Sequence, residues 1–289
     1  MKLRILAPLI AAMACGPTLA LGAPILAPDL ASFAVLGAAG VTDVPVSTIG
    51  GNLGSASDAS VGGGYVFTSG SLQPNTATAI QAQIDLDTAK VALSAFGVGT
   101  LIDLSVGGNL DAFQALHGGT ISPGTYTVSA QAVNLMGALV LDGGGSNSAV
   151  WVFQLPSTLI TSTTSTVNVQ NVGDGSNVGV YWNVGSAATL NGPTFAGNVL
   201  AHDLISSDGN LTIACGRLLS AETQVTLIQD KISIGCAGIA TGSGGFDQGV
   251  DIGSGGIVGP SGQAPEPTTI ALFSLALAGL GFTRRKRAK

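Results

Sequence analysis

Charged side chains are scarce in this sequence, and basic ones are scarcest in its central part. Only 9% of the 289 residues are charged. Between residues 24 and 264 the basic residues are Lys90, Arg217 and Lys231, against fourteen aspartates and Glu222, so this body carries a formal charge of 3 − 15 = −12. A nucleic-acid-binding protein needs many basic groups to neutralise phosphates. The composition therefore excludes nucleic acid as a partner.

Histidine, cysteine and paired carboxylates are also lacking, which argues against an enzyme or a metalloprotein. The two histidines are His117 and His202, and neither lies at zinc-ligand spacing from a cysteine. The aspartates are scattered among turns, whereas glycoside hydrolysis needs two carboxylates in one cleft. No nucleophile elbow, phosphate loop or zinc motif occurs. We therefore expect no catalytic residue, no metal and no cofactor.

Glycine and strand-forming residues are abundant, and part of the sequence repeats. There are 43 glycines, and Thr, Ser, Val and Asn dominate the middle of the chain, a mixture typical of strands joined by tight turns. Val150–Thr158 reads VWVFQLPST, and Gly179–Ala187, 29 residues later, reads GVYWNVGSA. A repeat of about 20–50 residues indicates a solenoid, whose coils bury their apolar faces only when stacked. We therefore predict an all-β-dominated solenoid that acts through its surface.

One segment replaces the strand pattern with a helical one. Pro74–Phe96 contains no glycine, and Gly97 follows it. Ile80, Ile84 and Val91 recur at helical spacing, so we predict an amphipathic helix over 74–96 whose apolar stripe lies along the solenoid. The strands and short coils predicted around it are Phe33–Leu36, Ser47–Gly54, Asp58–Gly64, Leu104–Leu110, Gly124–Ala130, Val133–Asp142, Gly197–Arg217 and Leu218–Cys236.

The first 23 residues have the parts of a secretory signal peptide. A basic start precedes an apolar run over 5–14, and Ala20 and Ala23 offer two cleavage sites. Cys15 leaves a lipoprotein signal as an alternative, although the residues before it fit a lipid-attachment site poorly. We expect 1–23 to be removed, which places the mature chain outside the cytoplasm.

Two cysteines, Cys215 and Cys236, remain once this signal is removed, and they lie 21 residues apart. One short coil has about this length, so they could stand on neighbouring rungs about 4.8 Å apart, within reach of a disulfide. An oxidising destination favours the bond over the alternative of two free thiols.

The C-terminal segment 264–289 combines three parts of a sorting signal. Pro265-Glu266-Pro267 precedes an apolar run over 268–283, and a basic tail with Arg284 and Arg285 fills 284–289. This order resembles the PEP-CTERM sorting signal, which an exosortase recognises and cuts in Gram-negative bacteria. The resemblance implies an exosortase partner, transient membrane insertion of the apolar helix 268–283, and an extracellular or cell-surface destination. An ordinary tail anchor is the alternative, although the 16 apolar residues span only about 24 Å.

A stretch rich in glycine and serine, 238–263, separates the predicted solenoid from this signal. Such a composition is typical of a flexible linker, and we predict that it holds the body off the membrane. Its Gly-Asp pattern is faintly similar to calcium-binding nonapeptide repeats, but no complete repeat forms.

Several segments, taken in order, resemble the microbial ice-binding protein family. They are FAVLGAAGVTD from Phe33, STIGGNLGS from Ser47, AIQAQIDLDTA from Ala79, GGTISPGTYTVSA from Gly118, GALVLDGGGSNSAVWVFQLPSTL from Gly137, VYWNVGSAATLNGPTFAGNVLA from Val180 and CGRLLS from Cys215. The resemblance extends over most of residues 30–236. It implies that 24–237 is a discontinuous right-handed β-solenoid, a triangular β-helix, with one long α-helix packed alongside.

The same resemblance implies that one flat, threonine-rich wall binds ice or ordered water. The family pattern on this wall is Thr, Ala or Gly, any residue, and Thr or Asn. Three rungs align with it, 161–164, 191–194 and 209–212, and only the final Thr occurs in all three. The predicted ice-binding residues are Thr161, Thr163, Thr164, Asn191, Thr194 and Thr212.

Strand geometry supplies a physical reason for such a role. Alternate residues repeat every ~6.7 Å along a strand and every ~4.8 Å across rungs, spacings close to repeats of ice planes. We therefore predict a secreted or surface-sorted protein that adsorbs to ice. The alternative is a structural or adhesive component of an extracellular polysaccharide matrix, which would use the same wall for sugars.

Overall fold

The 29-residue repeat corresponds to two successive coils of a parallel β-solenoid. The computed structural model describes residues 23–57, 60–104, 109–129, 131–236, 238–248, 251–253 and 256–258. The two similar segments form β13 (Val150–Leu155) and β16 (Gly179–Val184), which are parallel neighbours in register along their whole length. Between them, β14 (Leu159–Thr161) and β15 (Thr166–Gln170) complete the coil. Each coil therefore winds around three walls, and the solenoid prediction is confirmed.

The helix wall is named for the long helix α2 (Ala77–Ser94) that packs on it. Its strands are all parallel. They are β2 (Phe33–Gly37), β5 (Asn52–Ser55), β8 (Leu72–Pro74), β9 (Thr100–Ile102), β10 (Gly124–Val128), β13, β16 and the C-terminal halves of β18 (Thr194–Ala201) and β20 (Thr212–Ser220).

The other two walls complete each coil. The seven-stranded wall contains β3 (Gly40–Val44), β6 (Val61–Gly62), β11 (Val133–Leu135), β14, β17 (Ala188–Leu190), β19 (Ile205–Ser207) and β21 (Gln224–Ile228). The third wall contains β4 (Ser47–Gly50), β7 (Tyr65–Ser69), β12 (Ala138–Asp142), β15, the N-terminal halves of β18 and β20, and β22 (Lys231–Ser233). A separate antiparallel sheet joins the two ends of the described chain through β1 (Ala23–Pro24), β23 (Asp251–Gly253) and β24 (Gly256–Val258).

The order of coils along the solenoid differs from their order in the chain. The first coil stacks on the last one, because β2, β3 and β4 pair with β20, β21 and β22. The chain must then cross from the β8 end of the helix wall to the β9 end. At about 1.5 Å per residue, the 18-residue helix α2 spans about 27 Å and supplies this crossing. The solenoid is therefore discontinuous, as the family resemblance implied.

Helix α2 is confirmed, but the face that it buries differs from the prediction. Its buried residues are Ala79, Ala82, Leu86, Ala89 and Leu93. The predicted stripe faces outward instead, with Ile80 45%, Ile84 55% and Val91 72% exposed. Alanines allow the helix to approach the wall closely, whereas a row of β-branched side chains would hold it away. Close packing therefore decided the orientation of α2.

The described chain contains two shorter helices besides α2. α1 (Pro28–Ala31) precedes β2, and α3 (Leu110–Leu116) lies at the β9 end. Asn109 caps α3 by accepting a hydrogen bond from the backbone N–H of Ala112. The strand predicted over Leu104–Leu110 is therefore wrong at its C-terminal end, where helix α3 begins.

The interior is a stack of aromatic and aliphatic side chains. Phe153 and Trp182 occupy equivalent positions of successive coils, and their rings stack with centroids 4.1 Å apart. Each buried indole donates to a backbone carbonyl, Trp151 to Ile121 and Trp182 to Ala196. A disulfide joins Cys215 in β20 to Cys236, which follows the neighbouring strand β22. The predicted link between adjacent rungs is thus present.

The predicted flexible linker 238–263 is wrong in its first part. Residues 238–248, the C-terminal strap, pack on the solenoid, and Phe246 is fully buried in the core. The strap carbonyl of Phe246 accepts from the backbone N–H of Val180, and Asp247 forms a bridge beside Gly179. Glycines allow this close approach, because a Cβ atom on Gly179 would meet the carbonyl oxygen of Gln248 and one on Gly242 would meet that of Asp174. The strap belongs to the folded body.

A half-buried lysine, Lys90, ties α2 to the helix wall. The Lys90 ammonium donates to Asn183 Oδ1 at 3.1 Å and to the carbonyls of Val184 and Leu200 at 2.9 and 2.8 Å. These three bonds use all of its donors. Burial lowers the pKa of Lys90 from 10.5 to about 8, although nearby carboxylates partly oppose this change.

This lowered pKa predicts a stability that rises with pH. Below pH 8 Lys90 is charged in both states, so the folded state bears the full desolvation cost. Between pH 8 and 10 the unfolded chain holds a proton that the folded chain has lost, and stability should increase by about 2 kcal/mol. Urea unfolding at both pH values should detect the rise in the wild type and not in Lys90→Met. Equal rises in the two proteins would contradict the prediction. Tyr65 and Tyr126 have raised pKa values and also change stability with pH, but their contribution is the same in both proteins and drops out of the comparison.

Candidate functional site

The seven-stranded wall presents one row of short, uncharged side chains to solvent. Strand alternation buries the residues on either side of this row and leaves every second one outward. The row is continuous because each strand pairs with the next without a register shift. Its members, in spatial order, are Asn134, Ile160, Thr189, Ser206, Thr226 and Thr42.

Four neighbouring members of this row carry hydroxyl groups. The Thr42 hydroxyl donates to the Thr226 hydroxyl at 3.2 Å, and the Ser206 hydroxyl donates to Thr189 at 3.5 Å. The rungs stand about 4.8 Å apart, so the hydroxyls form a regular line with methyl groups beside it. This line, Thr189–Ser206–Thr226–Thr42, is the hydroxyl row.

The packing beneath the hydroxyl row holds the wall flat. A second ladder, one residue earlier in each strand, points into the core and is fully or almost fully buried. Its members are all aliphatic and pack in the close-packed core, so they support the strands from below. This ladder is Val133, Leu159, Ala188, Ile205, Val225 and Val41.

The predicted residue Thr161 cannot contact a surface, because it is only 1% exposed. Its hydroxyl oxygen accepts hydrogen bonds from the backbone N–H groups of Asn191 at 2.8 Å and Gly192 at 3.2 Å. Thr161 therefore points inward and satisfies two backbone N–H groups in the turn of the next coil. Its assignment to the ice-binding face is wrong.

The other predicted residues are divided between a corner and the third wall. Thr163 and Thr164 are exposed in the turn 162–165, and half-buried Asn191 begins the equivalent turn of the next coil. Thr194 is exposed and Thr212 half-buried, and they pair with each other on the third wall. No single flat surface holds all six predicted residues.

The alignment of rungs 161–164 and 191–194 in the sequence is wrong by one residue before the turn, where Thr161 pairs with Leu190, and by two residues after it. Thr164 was aligned with Thr194, but the strand partner of Thr194 is Thr166. The turns before these strands differ in length, with four residues between β14 and β15 and three between β17 and β18. A register fixed by backbone pairing cannot be read across turns of unequal length.

The third wall is a poorer flat surface than the seven-stranded wall. Exposed Lys231 follows Thr212 in its outward row. A recess of about 290 Å³ lies beside it, lined by Thr48, Thr68, Thr212 and Lys231 among others. β18 and β20 shift register at Phe195/Gly197 within this region. Charge, a recess and the irregularity together interrupt this wall.

The hydroxyl row was missed by the sequence analysis, although it leaves a signal. Its strands read ATL, ISS, QVTLI and GVTDV, and in each the central residue is a Thr or Ser that follows a buried aliphatic residue. Searching for Thr or Ser at the centre of such a strand would have found Thr189, Ser206, Thr226 and Thr42.

The remaining predicted features lie mostly outside the described residues. These include the signal 1–23 up to residue 22, the sorting residues Pro265, Glu266, Pro267, Arg284 and Arg285, and the apolar helix 268–283. In the part of the chain that is described, no helix is long and apolar enough to cross a membrane. Nor do the described residues include a group of His, Cys, Asp and Glu that could hold a metal.

Two family models match the chain. Residues 34–233 match the family described as ice-binding-like, and 263–287 match the PEP-CTERM protein-sorting motif. The chain is also 36% identical over 207 residues to an ice-binding protein from Nostoc sp. (strain HG1), covering 71% of this chain and 72% of that protein.

Solved structures of ice-binding proteins share this fold. One, from the Antarctic ascomycete Antarctomyces psychrotrophicus, is 30% identical with a TM-score of 0.59, covering 74% of this chain and 98% of the other. Another, from an Antarctic biological consortium, is 27% identical with a TM-score of 0.62, covering 75% and 93%.

Proposed function

Because this chain belongs to the ice-binding-like family, we propose that it adsorbs to ice through the seven-stranded wall. The hydroxyl row is the observation that supports this wall most directly, since four hydroxyl side chains follow one another across four paired strands. Its repeat of about 4.8 Å from strand to strand can order water in an ice-like arrangement.

The charge on this wall is low, because its strands contain no basic residue and the carboxylate of Asp43, in β3, accepts two hydrogen bonds from Ser47. Of the three basic residues between 24 and 264, Lys90 and Arg217 are engaged inside the protein, and Lys231 lies on the third wall. Long charged side chains would bind water in orientations that do not match ice. Adsorption of this kind needs no catalytic group and no cofactor.

We further propose that the protein acts at the exterior of a Gram-negative bacterium. The PEP-CTERM motif over 263–287 supports export to the cell surface with exosortase processing. The alternative, a component of a polysaccharide matrix, gains no support from these relatives, which are named for ice binding.

Uptake into growing ice tests the proposal. Residues 24–264, purified and labelled with a fluorophore, should become concentrated in a slowly grown ice crystal and should slow recrystallisation of small crystals. An unrelated protein of similar size serves as the control, because growing ice excludes ordinary proteins. Exclusion of the folded fragment from the ice, with no effect on recrystallisation, would overturn the proposal.

A further inference from the structure

The C-terminal strap lies at the corner of the solenoid that faces away from the seven-stranded wall. Each coil visits the helix wall, the seven-stranded wall and the third wall in turn, so the turn 171–178 between β15 and β16 joins the third wall to the helix wall. Two backbone hydrogen bonds hold the strap on this turn. The N–H of Gly242 donates to the carbonyl of Asp174 at 2.9 Å, and the N–H of Gln248 donates to the carbonyl of Val178 at 3.2 Å. We call this edge of the solenoid, where the turns between the third wall and the helix wall lie, the strap corner.

A buried arginine fastens the strap there. Arg217 is 1% exposed and donates to the carbonyls of Gly244 and Gly245, to Asn198 Oδ1 and to the Asp247 carboxylate at 3.0 Å. It also donates to the carbonyl of Ala31, at the end of α1. One side chain thus joins the N-terminal segment, the coil and the strap, so the strap has a defined place on the body.

Both ends of the described chain leave from this side. β1, which begins at the last residue of the predicted signal peptide, pairs with β23, which follows the strap. After β1, Ile25 and Leu26 are buried against α2. β24 ends at Val258, and six residues, which can reach about 20 Å, separate it from Pro265. The two ends of the described chain therefore lie on the same side of the molecule.

We propose that the strap corner faces the lipid bilayer while the chain is held by its C-terminal apolar segment, so that the seven-stranded wall points away from the membrane. The partner of this corner is the lipid surface itself. A molecule anchored in this way presents the hydroxyl row outward and can bind ice before any release. The functional part of this inference rests on the proposed ice binding, whereas the orientation does not.

Distances to lipid headgroups in vesicles test the orientation. The chain 21–289 lacks Cys15, and its remaining cysteines form the disulfide, so one added cysteine is the single labelling site. Ser146→Cys places a fluorophore in the exposed turn that joins β12 to β13 at the strap corner, and Thr42→Cys places it on the seven-stranded wall. Energy transfer to labelled phosphatidylethanolamine should put the Thr42 label about 15 Å farther from the headgroups, the length of one five-residue strand.

A longer tether provides the control. About twenty Gly and Ser residues inserted after Val258 should move both labels away from the lipid and reduce the difference between them, because a flexible linker of this length no longer restrains the body. Equal distances in the chain without the insertion, or a Thr42 label nearer to the lipid, would overturn the orientation. Ice uptake by the soluble fragment is measured separately, so failure of ice binding and failure of the orientation are distinguishable.

Discussion

Replacing Thr226 by Tyr should abolish most ice adsorption, whereas replacing Thr212 by Tyr should leave it nearly unchanged. Thr226 lies at the centre of the hydroxyl row, between Ser206 and Thr42. A tyrosine ring there would stand above the flat wall and separate the neighbouring hydroxyls from the crystal. The ice-bound fraction should fall at least about tenfold, which corresponds to only about 1.4 kcal/mol of adsorption free energy.

The Thr212→Tyr variant is the matched control, because it makes the same chemical change on the third wall. Both threonines are half-buried in strands and point outward, so the two variants should have similar melting temperatures. Loss of adsorption in Thr212→Tyr with retention in Thr226→Tyr would move the binding surface to the third wall.

Replacing Asp247 by Ala should cause the largest loss of stability among single polar substitutions in the described body. Asp247 is the carboxylate partner of Arg217, and both side chains are buried. Removing it leaves an uncompensated guanidinium in the core, which costs about 3–5 kcal/mol. Burial already lowers the pKa of Arg217, and the Asp247 charge opposes this effect. Urea unfolding monitored by tryptophan fluorescence measures the loss.

Two further variants establish the cause of this loss. The double variant Arg217→Met with Asp247→Leu removes both charges and should recover much of the stability, because apolar pairs often replace buried ion pairs without cost. Glu222→Ala, at an exposed site, should change stability by no more than about 0.5 kcal/mol. If Asp247→Ala matched Glu222→Ala, the strap would have no fastening role.

Several features of the fold were readable from local sequence because they depend on local chemistry. The coil repeat appears directly as VWVFQLPST and GVYWNVGSA, since stacked strands need similar inward residues. Helix α2 lacks glycine along its length, and Thr76 caps it by accepting from the backbone N–H of Ala79. The spacing of Cys215 and Cys236 matched one short coil, so their pairing followed from the repeat.

The candidate site was harder to predict, because its residues become neighbours only through strand register. Thr42 and Thr226 are 184 positions apart in the chain and adjacent in the wall. This contact exists because the first coil stacks on the last, which no local pattern indicates. The prediction that Thr161 contacts ice failed for a similar reason, since the burial of Thr161 depends on the turn at Asn191 in the next coil.

From the sequence alone one can read a stacked β-solenoid with one long helix, a low charge and a C-terminal sorting motif. Composition, alternation and spacing encode these properties, and each acts over a few residues. The tertiary structure alone decided which threonines face solvent, that α2 buries alanines rather than isoleucines, and that the strap packs instead of forming a free linker. These outcomes depend on which surfaces meet, because burial and register are properties of paired segments and not of either segment alone.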